Sequence, residues 1–189
     1  LDEMVDQTID IILRAKQALS DSATYDEAAH HAAARRIAGQ CMVLLKNNDN
    51  ILPLKKDAKI DVIGQMAKKP RHQGAGSSIV NAIKLDNAYD TMFEQGISFT
   101  YADGYALTKK EKKTSPETYI SQAVEAAKNA EVAVLFIGLT DEFESEGFDR
   151  THLRIPPEHV ALLNAVRSVN ENIVVVLAGG AVVEMPWEG

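Results

Sequence analysis

The chain has 189 residues, of which 46% are hydrophobic and 25% charged, the balance of an ordinary globular domain; disorder and collagen-like structure are excluded. Its one cysteine, Cys41, excludes an internal disulfide and a cysteine-based zinc site. The net charge of −7 argues against a nucleic-acid partner, since phosphates are bound by clustered cations.

Residues 1–19 place Leu1, Val5, Ile9, Ile12 and Leu13 at helical spacing, which predicts a helix with one buried face. Residues 20–23 read as a break. Thr24 and Glu27 have the spacing of a capping box and predict a second, alanine-rich helix through about Lys46, with Cys41 in the core. Asn47, Asn48, Asp49 and Asn50 end it. Four short apolar runs follow, at 60–63, 97–101, 132–139 and 173–178. The last two are almost continuously Val, Ile, Leu and Phe, as are strands buried on both faces of a parallel sheet. Between the runs, helical patterns occupy 83–95, 116–130 and 157–169. Pro116 after Ser115 is a favourable helix start, because proline in the first turn gives up no needed hydrogen bond. Gly96 is a favourable stop. Residues 109–113 are a charged run that reads as a solvated loop.

This alternation predicts an α/β fold: an open, mostly parallel sheet with right-handed crossovers, flanked by helices on both faces as an α/β sandwich. Residues 1–24 read as a helical linker and 25–189 as the α/β domain. The longest nearly apolar run, 173–183, falls well short of the ~20 residues that span a bilayer, so no membrane partner is expected. No basic segment followed by an apolar stretch opens the chain. Together with the single cysteine, this gives the expectation of a bacterial cytoplasmic protein. The chain starts without Met and stops soon after a strand-like run, as if cut from a longer protein.

In open parallel sheets, ligands meet the loops at the carboxyl ends of the strands. Residues 71–78 (Arg-His-Gln-Gly-Ala-Gly-Ser-Ser) follow the first strand. Its glycines allow close backbone approach and its serines can donate hydrogen bonds, so a phosphate cradle of a nucleotide-binding module is one reading. The loop lacks both G-x-G-x-x-G directly after a strand and G-x-x-x-x-G-K-[ST], which favours a tight turn. Residues 141–150 (Asp-Glu-Phe-Glu-Ser-Glu-Gly-Phe-Asp-Arg) follow the third strand and contain five carboxylates. A solvated acidic loop is the plain reading. Glu142, Glu144, Glu146 and Gly147 mimic the start of an EF-hand loop, but Leu153 stands where a bidentate Glu is required, so no metal is expected.

The third reading of this acidic loop is acid/base chemistry. A carboxyl among other carboxylates, or beside an aromatic such as Phe143 or Phe148, has its pKa raised. Once protonated near neutral pH, it can donate to a leaving group. Gly147 would let a substrate approach, and Asp149 with Arg150 would pair to pin the loop. His72, His152, His159 and the adjacent His30 and His31 show no metal-ligand spacing and read as structural or surface residues. Met185 and Trp187 read as packing residues.

Taken in order, these blocks resemble the carboxyl-terminal α/β domain of glycoside hydrolase family 3, the β-glucosidase-like enzymes. Residues 32–54 (AAARRIAGQCMVLLKNNDNILPL) are similar to the helix leading from the family's barrel into its second domain. Residues 60–64 are similar to its first strand, 71–78 to its glycine-serine loop, 141–153 with Pro156 to its catalytic loop, and 174–187 to its later strand and Pro-Trp turn.

The resemblance implies a retaining β-glycosidase, most simply a β-glucosidase, whose substrate is a β-linked carbohydrate and which needs no cofactor. It implies that Glu146 is the general acid/base, with Glu144 as runner-up, and that the Asp nucleophile lies on an amino-terminal barrel outside this chain. Arg71, Gln73, Phe143, Asp149 and Arg150 are then expected to border the substrate or support the loop. The chain alone is expected to be inactive. A truncated sheet edge would favour self-association as a homodimer. A non-catalytic carbohydrate-binding member of the same family is the alternative.

Overall fold

The computed structural model describes residues 1–19, 24–77, 79–108, 110–147 and 149–188. The break expected at 20–23, and the side chains of Ser78, Lys109 and Phe148, lie outside the described residues. The chain forms two compact units, Leu1–Leu45 and Lys46–Gly189.

The first unit holds α1 (Asp2–Ala18) and α2 (Glu27–Gln40). The stripe expected to be buried on α1 is exposed at Val5, Ile9, Ile12 and Leu13. The cap of α2 is Asp26, whose carboxylate accepts from the Ala29 N–H at 2.9 Å, instead of Thr24. A carboxylate is an equally good acceptor at this position and suits the positive end of the helix dipole. The helix ends at Gln40 instead of Lys46, which leaves Cys41 exposed and outside any core.

The second unit is built on β1 (Ile60–Ile63), β2 (Phe99–Ala102), β3 (Val132–Gly138) and β4 (Ile173–Ala178). Their order is β2-β1-β3-β4, and every neighbouring pair is parallel. The connecting helices are α3 (Ala88–Glu94), α4 (Pro116–Ala127) and α5 (Pro157–Arg167). Helix α3 starts later than the pattern at 83, because the Asn87 side chain accepts from the Asp90 N–H at 2.8 Å and caps it there. Helix α4 starts as predicted, with Ser115 accepting from the Thr118 N–H ahead of Pro116.

Strand side chains alternate between two cores. Ile63, Leu135 and Ile137 face Ala123 and Ala127 of α4 and Leu162, Leu163 and Val166 of α5. Ile60, Val62, Val132 and Val134 face Ala58, Ala67, Leu54 and Met92 of α3. Burial on both faces explains the unbroken apolar runs.

Several polar groups sit inside, among them Asp61, Gln65, His159, Asn170 and the phenol of Tyr105. His159 is buried, and its Nδ1 accepts from the Gly138 N–H at 3.3 Å. Tyr105 is buried against it, donating to the Phe136 carbonyl at 2.6 Å and accepting from the Met66 N–H at 3.1 Å. This phenol ties the residues after β1 to β3.

From β1 the chain moves to β2 on one side, then crosses back to β3 on the other. The strand order therefore reverses between β1 and β3. The connections leaving their carboxyl ends diverge there and open a crevice.

Candidate active site

The crevice is shaped first by where β1 stops. Gly64 follows it at φ +113, and a Cβ there would overlap the Phe136 carbonyl, so only glycine lets the chain leave the sheet at this point. A buried turn, Gln65–Ala67, leads on to the glycine-serine loop. Above the sheet lies a cleft of about 470 Å³ lined by residues 71–75, 144–146 and Gly179 with Gly180. These are the loops after β1, β3 and β4.

The loops after β1 and β3 are stitched together around Glu146. The Ser77 N–H donates to Glu146 Oε2 at 2.7 Å. The Glu146 N–H donates to the Ala75 carbonyl at 3.3 Å. Gly76, at φ +105, lies directly under the Glu146 side chain, where a Cβ would overlap it. The glycine-serine loop therefore cradles a carboxylate belonging to its own chain.

Glu146 is exposed, and the hydrogen bonds from Ser77, side chain and backbone, hold its carboxyl below the usual carboxylate range. The rise expected from neighbouring carboxylates and aromatics is absent. The neighbouring carboxylates are engaged elsewhere, and burial contributes little.

The other carboxylates of the loop are separated from one another. Glu144 lies 3.5 Å from Arg71 Nη1, and its Oε2 accepts from the Gly180 N–H at 3.2 Å. Glu142 pairs with Lys112 at 2.6 Å on the exposed rim. Asp141 sits at the edge of Arg71, 4.0 Å from Nη1. Asp149 is exposed and does not pair with Arg150, which instead donates to the Val182 carbonyl at 2.8 Å. That bond fastens the end of the acidic loop to the segment after β4 and satisfies a backbone group that a side-chain pair would leave open.

Arg71 is brought to the acidic loop, donating to the Leu139 carbonyl at 3.2 Å and to the Glu144 carbonyl. Gln73 lines the cleft, but its amide forms a reciprocal pair with the Val80 backbone, accepting from the N–H and donating to the carbonyl, both at 3.0 Å. Phe143 packs against the α4–α5 core with its ring 6.3 Å from that of His152. Gly180 was not singled out in the sequence. Its position just past the carboxyl end of β4 is the signal that could have found it. Among the described residues, no group of three or more His, Cys, Asp or Glu is placed to hold a metal ion.

Residues 42–189 match the family model described as the glycosyl hydrolase family 3 C-terminal domain. The chain belongs to this family. It is 45% identical over 190 residues to thermostable beta-glucosidase B of Acetivibrio thermocellus, covering 99% of this chain and 25% of that protein. It is 40% identical over 198 residues to an exo-alpha-(1->6)-L-arabinopyranosidase of Bifidobacterium longum, covering 99% and 26%. Among solved structures, the family 3 beta-glucosidase of Bifidobacterium adolescentis superposes with a TM-score of 0.85 at 42% identity, over 95% of this chain and 26% of that one. The chain thus spans about a quarter of the length of the curated relatives it matches. The family 3 segment, beginning at residue 42, coincides closely with the compact unit that carries the cleft.

Proposed function

We propose that this family 3 domain supplies the general acid/base, Glu146, to a retaining β-glycosidase that hydrolyses terminal β-linked sugars, glucosides foremost. The observation that carries the reading is the contrast between the two central carboxylates. Glu144 is engaged by a guanidinium and a backbone N–H, whereas the Glu146 carboxylate stands at the exposed lip of the cleft, hydrogen-bonded to Ser77 and paired with no cation among the described residues.

The nucleophile is an Asp on an amino-terminal barrel outside this chain, and the two carboxyls of such a pair stand ~5–5.5 Å apart. The first step needs Glu146 protonated. In this chain Ser77 favours its ionised form, so the proton is secured only when barrel and sugar close over the carboxyl, exclude water and loosen the Ser77 contact. The chain alone, lacking nucleophile and sugar pocket, is inactive. After glycosyl transfer, Glu146 is left as a carboxylate, the form that the Ser77 hydrogen bonds favour, and it takes a proton from the attacking water.

The test uses the intact parent protein. Wild type and Glu146→Ala are compared on 2,4-dinitrophenyl β-glucoside, whose leaving group departs without protonation, with and without azide. Slow deglycosylation restored by azide, with formation of β-glycosyl azide, supports the reading. Full activity of the variant on an unactivated glucoside transfers the role away from Glu146. Two relatives at 40% identity carry the name exo-alpha-(1->6)-L-arabinopyranosidase, so an aryl α-L-arabinopyranoside belongs beside the glucoside in the same assay.

A further inference from the structure

Arg71 stands out because, although it lines the cleft, its guanidinium is tied to the stem of the acidic loop. Its side chain is only 13% exposed. Nη1 donates to the carbonyl of Leu139, the residue after β3, at 3.2 Å. Nη2 donates to the carbonyl of Glu144, two residues before Glu146. Nη1 also lies 3.5 Å from the Glu144 carboxylate. One rigid planar fork therefore spans the loop from its entry almost to Glu146, which a lysine's single point charge cannot do.

The far side of the Glu144 carboxylate is held by the Gly180 N–H at 3.2 Å, and a Cβ on Gly180 would lie 2.9 Å from Glu144 Oε1. The connections after β1, β3 and β4 thus converge on one ion pair. Glu146 itself is exposed; its backbone N–H bonds the Ala75 carbonyl, and among the described residues its carboxylate hydrogen-bonds to Ser77, so no ion pair holds it directly.

Resting on the reading of Glu146 as acid/base, we infer that Arg71, Glu144 and Gly180 form a positioning unit that fixes where Glu146 stands, and that Arg71 serves the reaction through the loop and not through the sugar. Glu144 is then an anchor and not a second acid. Misplacing a reacting group by ~1 Å costs on the order of 10²-fold in rate, so loosening this stem is expected to act on proton donation.

The experiment measures kcat/KM of the full-length protein on two aryl β-glucosides. Phenyl β-glucoside needs a proton on its leaving oxygen, and 2,4-dinitrophenyl β-glucoside does not. Arg71→Ala is expected to lose roughly 30- to 100-fold on the phenyl substrate and less than about threefold on the dinitrophenyl substrate, the scale set by loss of alignment. Arg71→Lys is expected to recover part of the loss, because it restores the charge beside Glu144 but not the bridge between two carbonyls. Added to Glu146→Ala, Arg71→Ala is expected to cost nothing further on the phenyl substrate.

Should Arg71→Ala not fold, Gly180→Ala gives an independent test. It keeps Arg71, obliges the Glu144 carboxylate to move, and is expected to show the same dependence on the leaving group. Equal losses on both substrates, a rise in KM with kcat kept, or additive losses in the double variant would each overturn the inference while leaving Glu146 as acid/base. If Glu146→Ala itself treats the two substrates alike, the acid/base reading fails first and the positioning unit with it.

Discussion

Asp61 offers a sharp test of how this sheet is built. It lies in the centre of β1, fully buried on the face shared with Ile63. Its Oδ1 accepts from the Thr100 hydroxyl at 2.8 Å, and its Oδ2 has no partner. Burial pushes its pKa from 3.8 up to about 6, against the pull of the Thr100 hydrogen bond. Between those values the native state keeps a proton that the unfolded chain has released. Stability therefore falls as pH rises through this window and levels off above it. A gap of this size corresponds to about 3 kcal/mol at pH 7 and above.

Asp61→Asn removes the charge and keeps an acceptor for Thr100. The variant is expected to match wild type near pH 4 and to exceed its stability by about 3 kcal/mol at pH 8. Urea unfolding of the 189-residue chain reports this through the single tryptophan, Trp187, which packs on the α4–α5 core. His159 titrates in the opposite sense. Burial lowers its pKa from 6.5 to about 4, so its contribution is present above 6.5 and is lost as pH falls toward 4. The difference between variant and wild type, and not either raw curve, is the readout. A constant offset at all pH values, or a variant less stable than wild type at pH 8, would refute the reasoning.

Two further outcomes follow from the same contacts. Tyr105→Phe strands the Met66 N–H and the Phe136 carbonyl inside the protein, and is expected to cost about 1–3 kcal/mol in urea unfolding with an unchanged denaturant slope; a loss near zero would mean that these backbone groups find other partners. Ser77→Ala removes one of the hydrogen bonds that hold Glu146 ionised and leaves the backbone N–H in place. The Glu146 carboxyl is then expected to titrate at higher pH than in wild type, part of the way back to its ordinary value, by carbon-13 NMR of labelled glutamate. An unmoved titration would show that the hydroxyl does not contact the carboxylate in solution.

The architecture was legible because strands buried on both faces leave an unmistakable trace. The runs at β3 and β4 are apolar without alternation, and the intervening helices open on Ser115-Pro116 and Pro157. Helix ends were less legible, because capping is a competition among nearby acceptors. Asp26 wins over Thr24, and Asn87 fixes the start of α3 inside a longer helical pattern. Two of the three loops of the cleft were visible as compositions, but their internal division was not. That Glu144 is tied down and Glu146 is free of Arg71 depends on partners dozens of residues away, Arg71 and Gly180 for one and Ser77 for the other. The direction of the Glu146 pKa failed for the same reason. Local sequence shows five carboxylates in one loop, but not that Lys112, Arg71 and Gly180 disperse them.

The pairing of β1 with β3 runs from Ile60↔Val132 to Ile63↔Leu135. One step along a strand is ~3.3 Å, longer than the 2.7 Å hydrogen bond from Ser77 to Glu146. The ladder between these two strands is therefore a ruler whose smallest division exceeds the tolerance at its tip. A slip in the middle of the sheet cannot be absorbed before it reaches the carboxylate, and an apolar residue packed beneath the strands helps to place a side chain it never touches.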